Sequence, residues 1–464
     1  MQRVSSWDRL SARKLNAMQD RLVRDQVRHA VGPFSPYWKS RLAQLGTTAG
    51  SIDSIEKLAT VPAVGERDVS PNADPGGMAA LVLQAGEGGF ALHASGPTLR
   101  RALRLRLTHR DAYRRLVETD TKPTSYLWSG LGFRYPLAST RGDLDALARA
   151  GARLWAVLGL EASDALLSAV PVAQTTEHVV LGYAALASGA PALFPGDEPA
   201  DVVAMARLAP PTVLAVESFA AAEIVSALVE ADAASRLRTV LLVGMPTDAE
   251  RSAATDALGE RSTGVTALAV HAPAGARVLW AECREAGAAG GLHTYPDLEV
   301  VQLVDPETGE PAADGGEIVL TQLQLRGSAM LRWRTGDLTG SRIDLATCTG
   351  CGRTVPRLRD VRRGALVLAS EDGRVLDLRS LAGALAGRAD VNDWRVVLQR
   401  RGRDGRTQVV VHLATDADAG QVAAGAAGDV RSLAGVLPTQ MIVGDELPDA
   451  VSGEALTPRI VVRG

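Results

Sequence analysis

Three cysteines and one histidine have the residue types and the spacing of a metal site. Cys348 and Cys351 form Cys-Thr-Gly-Cys-Gly-Arg, a knuckle in which two thiolates reach one ion and the glycine permits a tight backbone around the sulfurs. The third cysteine, Cys283, lies ten residues before His293. Three sulfurs and one imidazole complete a tetrahedral shell with no open position. We therefore predict a structural zinc site, which joins segments of the chain and activates no water.

Two other interpretations of these cysteines stay open. They could form a disulfide with one leftover thiol, or they could lie buried as free thiols. A cytosolic setting argues against the disulfide, and the knuckle spacing argues against inert thiols. His293 is the weakest ligand of the set, because a single histidine at the start of a strand is often only a polar surface group.

A second region that could do chemistry runs from residue 89 to residue 111. The pattern predicts a strand leading into a small polar loop with Ser95 and Thr98, then Arg100 and Arg101, and then a strand that alternates leucine with arginine. Guanidinium groups suit phosphates and stay charged. We expect Arg100 or Arg101 to bind a nucleotide, a coenzyme A phosphate or a substrate carboxylate. The alternative is that both are solvated residues at the start of a strand.

The best acid/base pair in the sequence is Glu177 with His178. Both begin a predicted helix directly after a predicted strand, on the side where such folds bind ligands. A capping role for Thr175, with Glu177 in the first helical turn, explains the same residues without catalysis. Three aromatic side chains that could line an aryl or acyl pocket, or else belong to the core, are Trp128, Phe133 and Tyr135.

The composition indicates a globular protein of more than one domain. A chain of 464 residues is too long for one compact core. Its net charge of −3, from 50 basic and 53 acidic residues, gives no overall attraction to nucleic acid or membranes. The charged N-terminus lacks the apolar region of a secretion signal, and no apolar run is long enough to span a bilayer. We expect a cytoplasmic protein.

Hydrophobic periodicity places this chain in the α/β class. Helical spacing runs from residue 7 to about 45, and apolar strands then alternate with amphipathic helices to about residue 300, which predicts a parallel sheet covered on both faces. Residues 293–324 alternate and turn twice, which predicts antiparallel strands. A short helix–strand–strand–helix module follows. We predict a large N-terminal domain over residues 1–363, which includes the zinc knuckle, and a small α+β domain over residues 364–464.

Several motifs together resemble the phenylacetate–CoA ligase branch of the adenylate-forming superfamily. The similar stretches, in the order in which they occur, are 37–69, 92–96, 107–111, 293–323, 331–339 and 348–363. The resemblance implies a large domain of layered sheets and helices, a small C-terminal lid domain, and a site between them. Active relatives make an acyl-adenylate from a carboxylic acid and ATP, and then transfer the acyl group to coenzyme A.

The resemblance also assigns nucleotide contacts to particular positions. The family's glycine-rich phosphate loop falls on residues 95–101, where Ser95 and Thr98 remain, Pro97 replaces a glycine, and Arg100 and Arg101 replace a glycine and the lysine. Proline removes an amide donor from such a loop. The Thr-Gly-Asp motif, which holds the ribose, is intact and comprises Thr335, Gly336 and Asp337.

Three further positions depart from the pattern that the resemblance implies. Gly275 falls where the family has the glutamate that positions magnesium. At the hinge, residues 362–366, Arg363 remains and both carboxylates are gone. Glu454 falls at the lid lysine, which reverses the charge next to the α-phosphate.

These departures leave three hypotheses for function. The first is a divergent ligase-like protein of specialised metabolism that binds or handles an aryl or acyl acid or its activated ester without standard adenylation. The second is a catalytically inactive scaffold that binds a ligand or partner. The third is an active ligase with arginine-based contacts to ATP or AMP. The expected ligands are a small-molecule acid or an acyl thioester. The sequence is also compatible with a homodimer or with a biosynthetic protein partner.

Overall fold

The structure is a computed structural model, and it describes most of the chain. The described residues are 6–31, 34–69, 77–85, 89–129, 135–172, 175–259, 263–305, 308–363, 367–369, 375–377, 381, 384–385, 387–400, 407–434, 438–448, 454–457 and 459–463. They form two compact units, residues 1–361 and residues 362–464. No helix within the described ranges is long and apolar enough to cross a membrane.

Among its described residues, the first unit combines thirteen α-helices and thirteen strands, and a fourteenth strand begins at its last residue. The helices are α1 (Ala12–Asp25), α2 (Pro36–Gln44), α3 (Ile55–Ala59), α4 (Glu66–Val69), α5 (Gly77–Leu81), α6 (Gly89–His93), α7 (Gly96–Thr108), α8 (Arg110–Thr121), α9 (Arg141–Val157), α10 (Thr175–Ser188), α11 (Pro199–Leu208), α12 (Ala221–Glu230) and α13 (Asp248–Asp256). The strands are β1 (Pro123–Ser129), β2 (Tyr135–Thr140), β3 (Leu166–Ala169), β4 (Ala192–Leu193), β5 (Val213–Glu217), β6 (Thr239–Val243), β7 (Thr266–His271), β8 (Trp280–Ala281), β9 (Leu292–His293), β10 (Glu299–Val304), β11 (Gly316–Gln322), β12 (Trp333–Thr339), β13 (Arg357–Leu358) and β14 (Val361–Arg363).

An eight-stranded sheet forms the centre of this unit, with strand order β13-β9-β8-β7-β6-β5-β3-β4. Strands β3 to β7 pair in parallel, because each apolar strand is followed by a helix that returns the chain to the same edge. Strands β8, β9 and β13 are added antiparallel at one side. Alternate side chains of β3, β5 and β6 belong to two separate cores, one on each face of the sheet. The predicted α/β class and parallel strands are therefore confirmed.

A second, four-stranded sheet has the order β10-β11-β12-β14. Strands β10 and β11 pair antiparallel, with Val301 opposite Leu320, as the alternating sequence predicts. Strand β12 contains the whole Thr-Gly-Asp motif, and its residues alternate between buried and half-buried positions. This sheet therefore fixes where Asp337 lies.

Residues 89–121 contradict the prediction made for them. They form three successive helices, α6, α7 and α8, so the predicted strands on either side of the polar loop were wrong. The Ser95 hydroxyl accepts the Thr98 backbone N–H, and Pro97 lies in the first turn, which starts α7 at this point. The alternation of leucine and arginine matches a strand, but both residues are strong helix formers, and helix propensity prevails.

The second unit contains a five-stranded mixed sheet of order β19-β18-β17-β21-β20. Its elements are β15 (Val367–Ala369), β16 (Val375–Asp377), β17 (Asp393–Arg400), β18 (Thr407–Ala414), α14 (Ala419–Ala434), β19 (Gln440–Gly444), β20 (Glu454–Thr457) and β21 (Ile460–Arg463). The two central strands and the later helix agree with the sequence pattern. The helix predicted over 378–387 lies largely outside the described residues.

Candidate metal centre and candidate nucleotide site

The four predicted metal ligands come from three segments at one side of the eight-stranded sheet. Cys283 follows β8 closely, and His293 ends β9. Cys348 and Cys351 lie in the loop that leads to β13. Strand β13 pairs with β9, with Arg357 opposite His293. Because β8, β9 and β13 are neighbours in the sheet, segments distant in sequence deliver their side chains to one place.

The geometry of this cysteine–histidine cluster fits a tetrahedral metal ion. The four ligand atoms all lie within 4.8 Å of one another. The sulfurs of Cys283 and Cys348 are 3.8 Å apart, and Cys351 Sγ is 3.3 Å from His293 Nε2. Zinc–sulfur bonds of about 2.3 Å at tetrahedral angles place two sulfurs about 3.8 Å apart. The described part of the chain therefore contains a complete Cys3His ligand set, and three of its members are buried.

Backbone carbonyls orient the His293 ring within this cluster. The ring atom Nδ1 lies 3.2 Å from the carbonyl oxygens of both Ala281 and Gly291, so it donates its proton to them. This arrangement leaves Nε2 as the lone-pair atom that faces the sulfurs. Burial lowers the pKa of His293, which favours the neutral imidazole that a metal requires. His293, the weakest ligand on sequence grounds, is therefore well placed to bind.

The cluster contains thiols of two kinds. Burial raises the pKa of Cys283 to about 12. Burial also disfavours the thiolates of Cys348 and Cys351, but nearby backbone N–H groups outweigh it and lower both pKa values. The Arg353 guanidinium contributes to the lowered pKa of Cys351. In the absence of metal, the knuckle cysteines are therefore the thiols poised to lose a proton, and Cys283 keeps its proton.

The segments around the knuckle connect it to the start of the chain. Gly352 adopts a φ of +68°, a left-handed conformation that favours glycine, at the position where the sequence predicts a tight backbone. Thr354 donates its backbone N–H to the carbonyl of Asp8 and its hydroxyl to the carbonyl of Leu10. The guanidinium of Arg353 lies 3.6 Å from the Asp8 carboxylate. The cluster is therefore packed into the unit and is not an exposed loop.

The positions matched to a phosphate loop form the start of helix α7. The Ser95 hydroxyl is 2.7 Å from that of Thr98 and also accepts the Thr98 N–H, so both groups are occupied in capping the helix. Arg100 and Arg101 lie on the exposed surface of the helix. Their side chains form no ion pair within the described ranges. An anion contact by either arginine stays a prediction.

The turn after β7 excludes a side chain at Gly275. This residue has a φ of +83°, and a Cβ there would lie 2.6 Å from the Trp333 ring and 3.3 Å from the Tyr135 hydroxyl. Its backbone N–H donates to Ser129, and its carbonyl accepts from Gln322. Neither a glutamate nor any other larger residue fits at this position without moving the aromatic side chains.

Asp337 is paired with His271, the first residue of the segment 271–275 that the resemblance matches to the family's aromatic-Gly-Thr-Glu turn. His271 Nε2 lies 2.8 Å from Asp337 Oδ2, and the two side chains are 1% and 0% exposed. Thr335 donates its hydroxyl to the Ile318 carbonyl and accepts the Asp337 N–H. Gly336 donates its N–H to Glu317. The intact motif thus makes internal contacts, and the pairing of its carboxylate with His271 is a contact that the sequence motifs did not predict.

The remaining candidates differ in their surroundings. Glu177 is buried in the first turn of α10, and His178 Nδ1 lies 3.2 Å from the Val170 carbonyl. Tyr135 is fully buried against Trp333 and belongs to the core, whereas Trp128 is 51% exposed. The positions that lie outside the described residues, or whose side chains do, are Phe133, Thr175, Arg363, Gly364, Ala365, Leu366 and Glu454.

Comparison with known proteins agrees with this architecture. No family model matches the sequence. Phenylacetate-coenzyme A ligase from Thermus thermophilus is 34% identical over 128 residues, which are 27% of this chain and 26% of that protein. The matched region thus spans about a quarter of that relative's length.

Solved structures of similar fold include 2-hydroxyisobutyryl-CoA ligase in two states. In the postadenylation state with R3-HIB-AMP, the TM-score is 0.69 at 16% identity, covering 98% of this chain and 91% of that chain. In the thioesterification state with 2-HIB-AMP and CoA, it is 0.61 at 17% identity, with the same coverage. ATP-bound MatB from Rhodopseudomonas palustris gives 0.50 at 17% identity, covering 74% of this chain and 67% of that chain. This chain has the fold of the adenylate-forming acyl-CoA ligases, and part of its sequence is similar to a phenylacetate-coenzyme A ligase.

Proposed function

We propose that this protein binds an aryl or acyl acid, or its coenzyme A ester, on an acyl-CoA ligase fold and does not activate the acid with ATP. The proposal places it in specialised metabolism as a divergent relative of phenylacetate–CoA ligases. The observation that carries it is the turn at Gly275, where Trp333 and Tyr135 fill the space that a magnesium-positioning glutamate needs. Without that carboxylate, the metal that offsets triphosphate charge has no protein anchor at this position.

The pairing of Asp337 supports the same conclusion. A carboxylate that binds ribose hydroxyls must present an oxygen to the ligand. In this protein, Asp337 is fully buried, and one of its oxygens accepts a hydrogen bond from His271. Moving it toward a nucleotide would break a buried hydrogen bond and expose the histidine, and both changes cost free energy. The motif is retained in sequence, and its carboxylate serves the interior of the protein.

We also propose that the cysteine–histidine cluster binds one zinc ion with a structural role. Its four donors, their separations and the orientation of His293 fit a closed tetrahedral site. A closed shell leaves no position for water or substrate. In this proposal the metal holds β8, β9 and the loop before β13 together, and it takes no part in acyl chemistry.

A second candidate function is an active ligase whose phosphate contacts are made by arginines. The observation that favours it is the exposure of Arg100 and Arg101 at the start of α7, without ion-pair partners among the described residues. Guanidinium groups bind phosphate oxygens in pairs, so two adjacent arginines could replace one lysine.

A thermal-shift comparison distinguishes these functions. A ligand that binds only the native state raises the melting temperature, and the rise grows with its saturation of the site. We expect stabilisation by phenylacetyl-CoA or a related acyl-CoA, or by the free acid, and none by ATP with magnesium. Stabilisation by ATP that is lost in Arg100→Ala/Arg101→Ala, but retained in the control Arg236→Ala at another exposed arginine, would establish the second candidate. If no acid, thioester or nucleotide stabilises the protein, the ligand-binding proposal is wrong and a partner-binding scaffold remains.

A further inference from the structure

The hairpin of helices α7 and α8 is the least buried pair of long helices in the described part of the first unit. Helix α7 buries only Ala102, and α8 buries none of its residues. By contrast, α9 buries side chains along its whole length. A two-helix element that contributes so little to the core needs another explanation for its sequence.

Positive charge is concentrated on this hairpin. Residues 96–121 contain seven arginines and three acidic residues, Asp111, Glu118 and Asp120, in a chain whose total net charge is −3. All seven arginines are exposed. None of them forms an ion pair anywhere in the described part of the chain. Among the described residues, the charge is therefore not neutralised by ion pairs and is available to a partner.

Helix α7 adds an apolar ridge to this charge. Leu103 and Leu107 are 61% and 81% exposed, and they lie one turn apart on the same side of the helix. Arg100 and Arg104 form a parallel row beside them, also one turn apart. We call these four residues the arginine–leucine face. Its partner must offer anionic groups to one row and apolar groups to the other.

We propose that the arginine–leucine face binds an acidic amphipathic helix of a partner protein. Such a helix carries carboxylates and apolar side chains in rows one turn apart, which matches the spacing of both rows on α7. Opposite charges would guide the encounter, and burial of the leucines would hold the complex. This inference does not depend on the proposed ligand or on the metal.

The residue types on the face favour a protein over other anionic partners. Nucleic acid recognition uses stacking aromatics and polar groups for base edges, whereas the exposed residues of α7 after its first turn are arginines, two leucines and Thr108. A membrane-surface helix needs a broad apolar side that enters the lipid. On α7 the apolar ridge consists of two leucines, with arginine beside it. The combination suits a helix of complementary charge.

A fluorescence anisotropy titration with designed probes tests the proposal. The main probe is a labelled peptide of about 20 residues, long enough to form a helix, with glutamates and leucines in rows one turn apart. A second peptide keeps the glutamates and replaces the leucines with serine. The other probes are a labelled single-stranded RNA and vesicles of phosphatidylserine with phosphatidylcholine. The full-length protein is used throughout.

We expect the glutamate–leucine peptide to bind more tightly than the serine peptide, the RNA or the vesicles. Two double variants, Leu103→Ser/Leu107→Ser and Arg100→Glu/Arg104→Glu, should each weaken the binding of this peptide about tenfold or more. In the arginine variant, the binding that remains should also depend less on salt concentration. The matched controls Leu208→Ser and Arg236→Glu, at exposed sites elsewhere, should leave it unchanged.

Three outcomes would overturn the proposal. Tighter binding of RNA or vesicles than of the peptide would assign the face to a different class of partner. Equal binding of both peptides would show that the leucines have no role. The absence of binding by every probe would show that the exposed face is not a docking surface. Thermal unfolding of each variant checks that the substitutions leave the fold intact.

Discussion

Gly275 lies only eight positions before Cys283 in the sequence, yet the surroundings of these two residues are opposite in kind. At Cys283, four donor atoms from three segments face a common point within 4.8 Å of one another. At Gly275, the side chains of Trp333 and Tyr135 occupy the space beside the backbone. Asp337, which lies on β12 together with Trp333, is paired with His271. The donors of the cysteine–histidine cluster face one another, whereas aromatic side chains fill the space at the turn of Gly275.

The comparison shows that a motif preserved in the sequence need not present its side chains to a ligand, whereas residues distant in the sequence can form a complete set of donors. The Thr-Gly-Asp motif is intact in sequence, yet its carboxylate is part of a buried pair. The cysteine–histidine cluster is spread over 69 residues of sequence, yet it assembles completely. The spatial arrangement of the donors, and not the preservation of a motif, is what indicates a site.

Removal of two of the proposed metal ligands should produce the largest effect. We expect Cys348→Ser/Cys351→Ser to lose the single equivalent of zinc and to lower the free energy of unfolding by about 4 kcal/mol or more, because the metal's binding energy supports the fold. Metal analysis and thermal unfolding measure the two changes. The control His178→Ala, which removes a histidine outside the cluster, should retain the metal. The zinc proposal would be contradicted if the purified wild-type protein contained no metal and the double variant unfolded with the same free energy as the wild type.

The second prediction concerns Glu299, whose carboxylate contacts strand β8, the strand between Gly275 and Cys283. Burial raises the pKa of Glu299 to about 7, although Trp280 of β8 and the Tyr295 N–H donate hydrogen bonds to its carboxylate. Between about pH 4.5 and pH 7 the unfolded chain has lost this proton and the native state keeps it. Native stability should therefore fall as pH rises through that window, by about 3 kcal/mol for the full shift.

Glu299→Gln keeps the acceptor oxygen and removes the titration. We expect the variant to lack this part of the pH dependence, as measured by denaturant unfolding at several pH values. An identical slope in both proteins would show that Glu299 ionises normally in the native state.

A pair of glycine substitutions isolates the packing at Gly275. Gly275 and Gly189 both have left-handed φ values, +83° and +75°, but an added Cβ meets nothing within 4 Å at Gly189. Both alanine variants carry backbone strain, and only Gly275→Ala also clashes with Trp333. We expect Gly275→Ala to be less stable than Gly189→Ala by about 2 kcal/mol. Equal stability in thermal or denaturant unfolding would mean that the turn has room for a side chain.

Much of the fold follows from the sequence, because buried parallel strands leave continuous apolar runs. The strands at 166–169, 213–217 and 239–243 are examples, each with a helix after it. The grouping of the three cysteines with His293 was also predictable, since cysteines are rare in this chain and a knuckle spacing restricts their role.

Other features depended on information that a local pattern does not contain. The alternation of leucine and arginine near residue 105 matches a strand period, but the cap at Ser95 and the helix propensities decide in favour of α7. The pair of His271 and Asp337 joins residues 66 positions apart on strands of different sheets. The clash of an added side chain at Gly275 depends on Trp333, which is also distant from Gly275 in the sequence.

ATP–pyrophosphate exchange measures adenylation directly. With a panel of aryl and alkyl acids, ATP and magnesium, we predict no exchange above that of a protein-free control, because the turn at Gly275 excludes the metal-positioning carboxylate and His271 engages Asp337. Robust exchange with any acid, abolished by Asp337→Ala, would contradict the account and show that the site still activates acids.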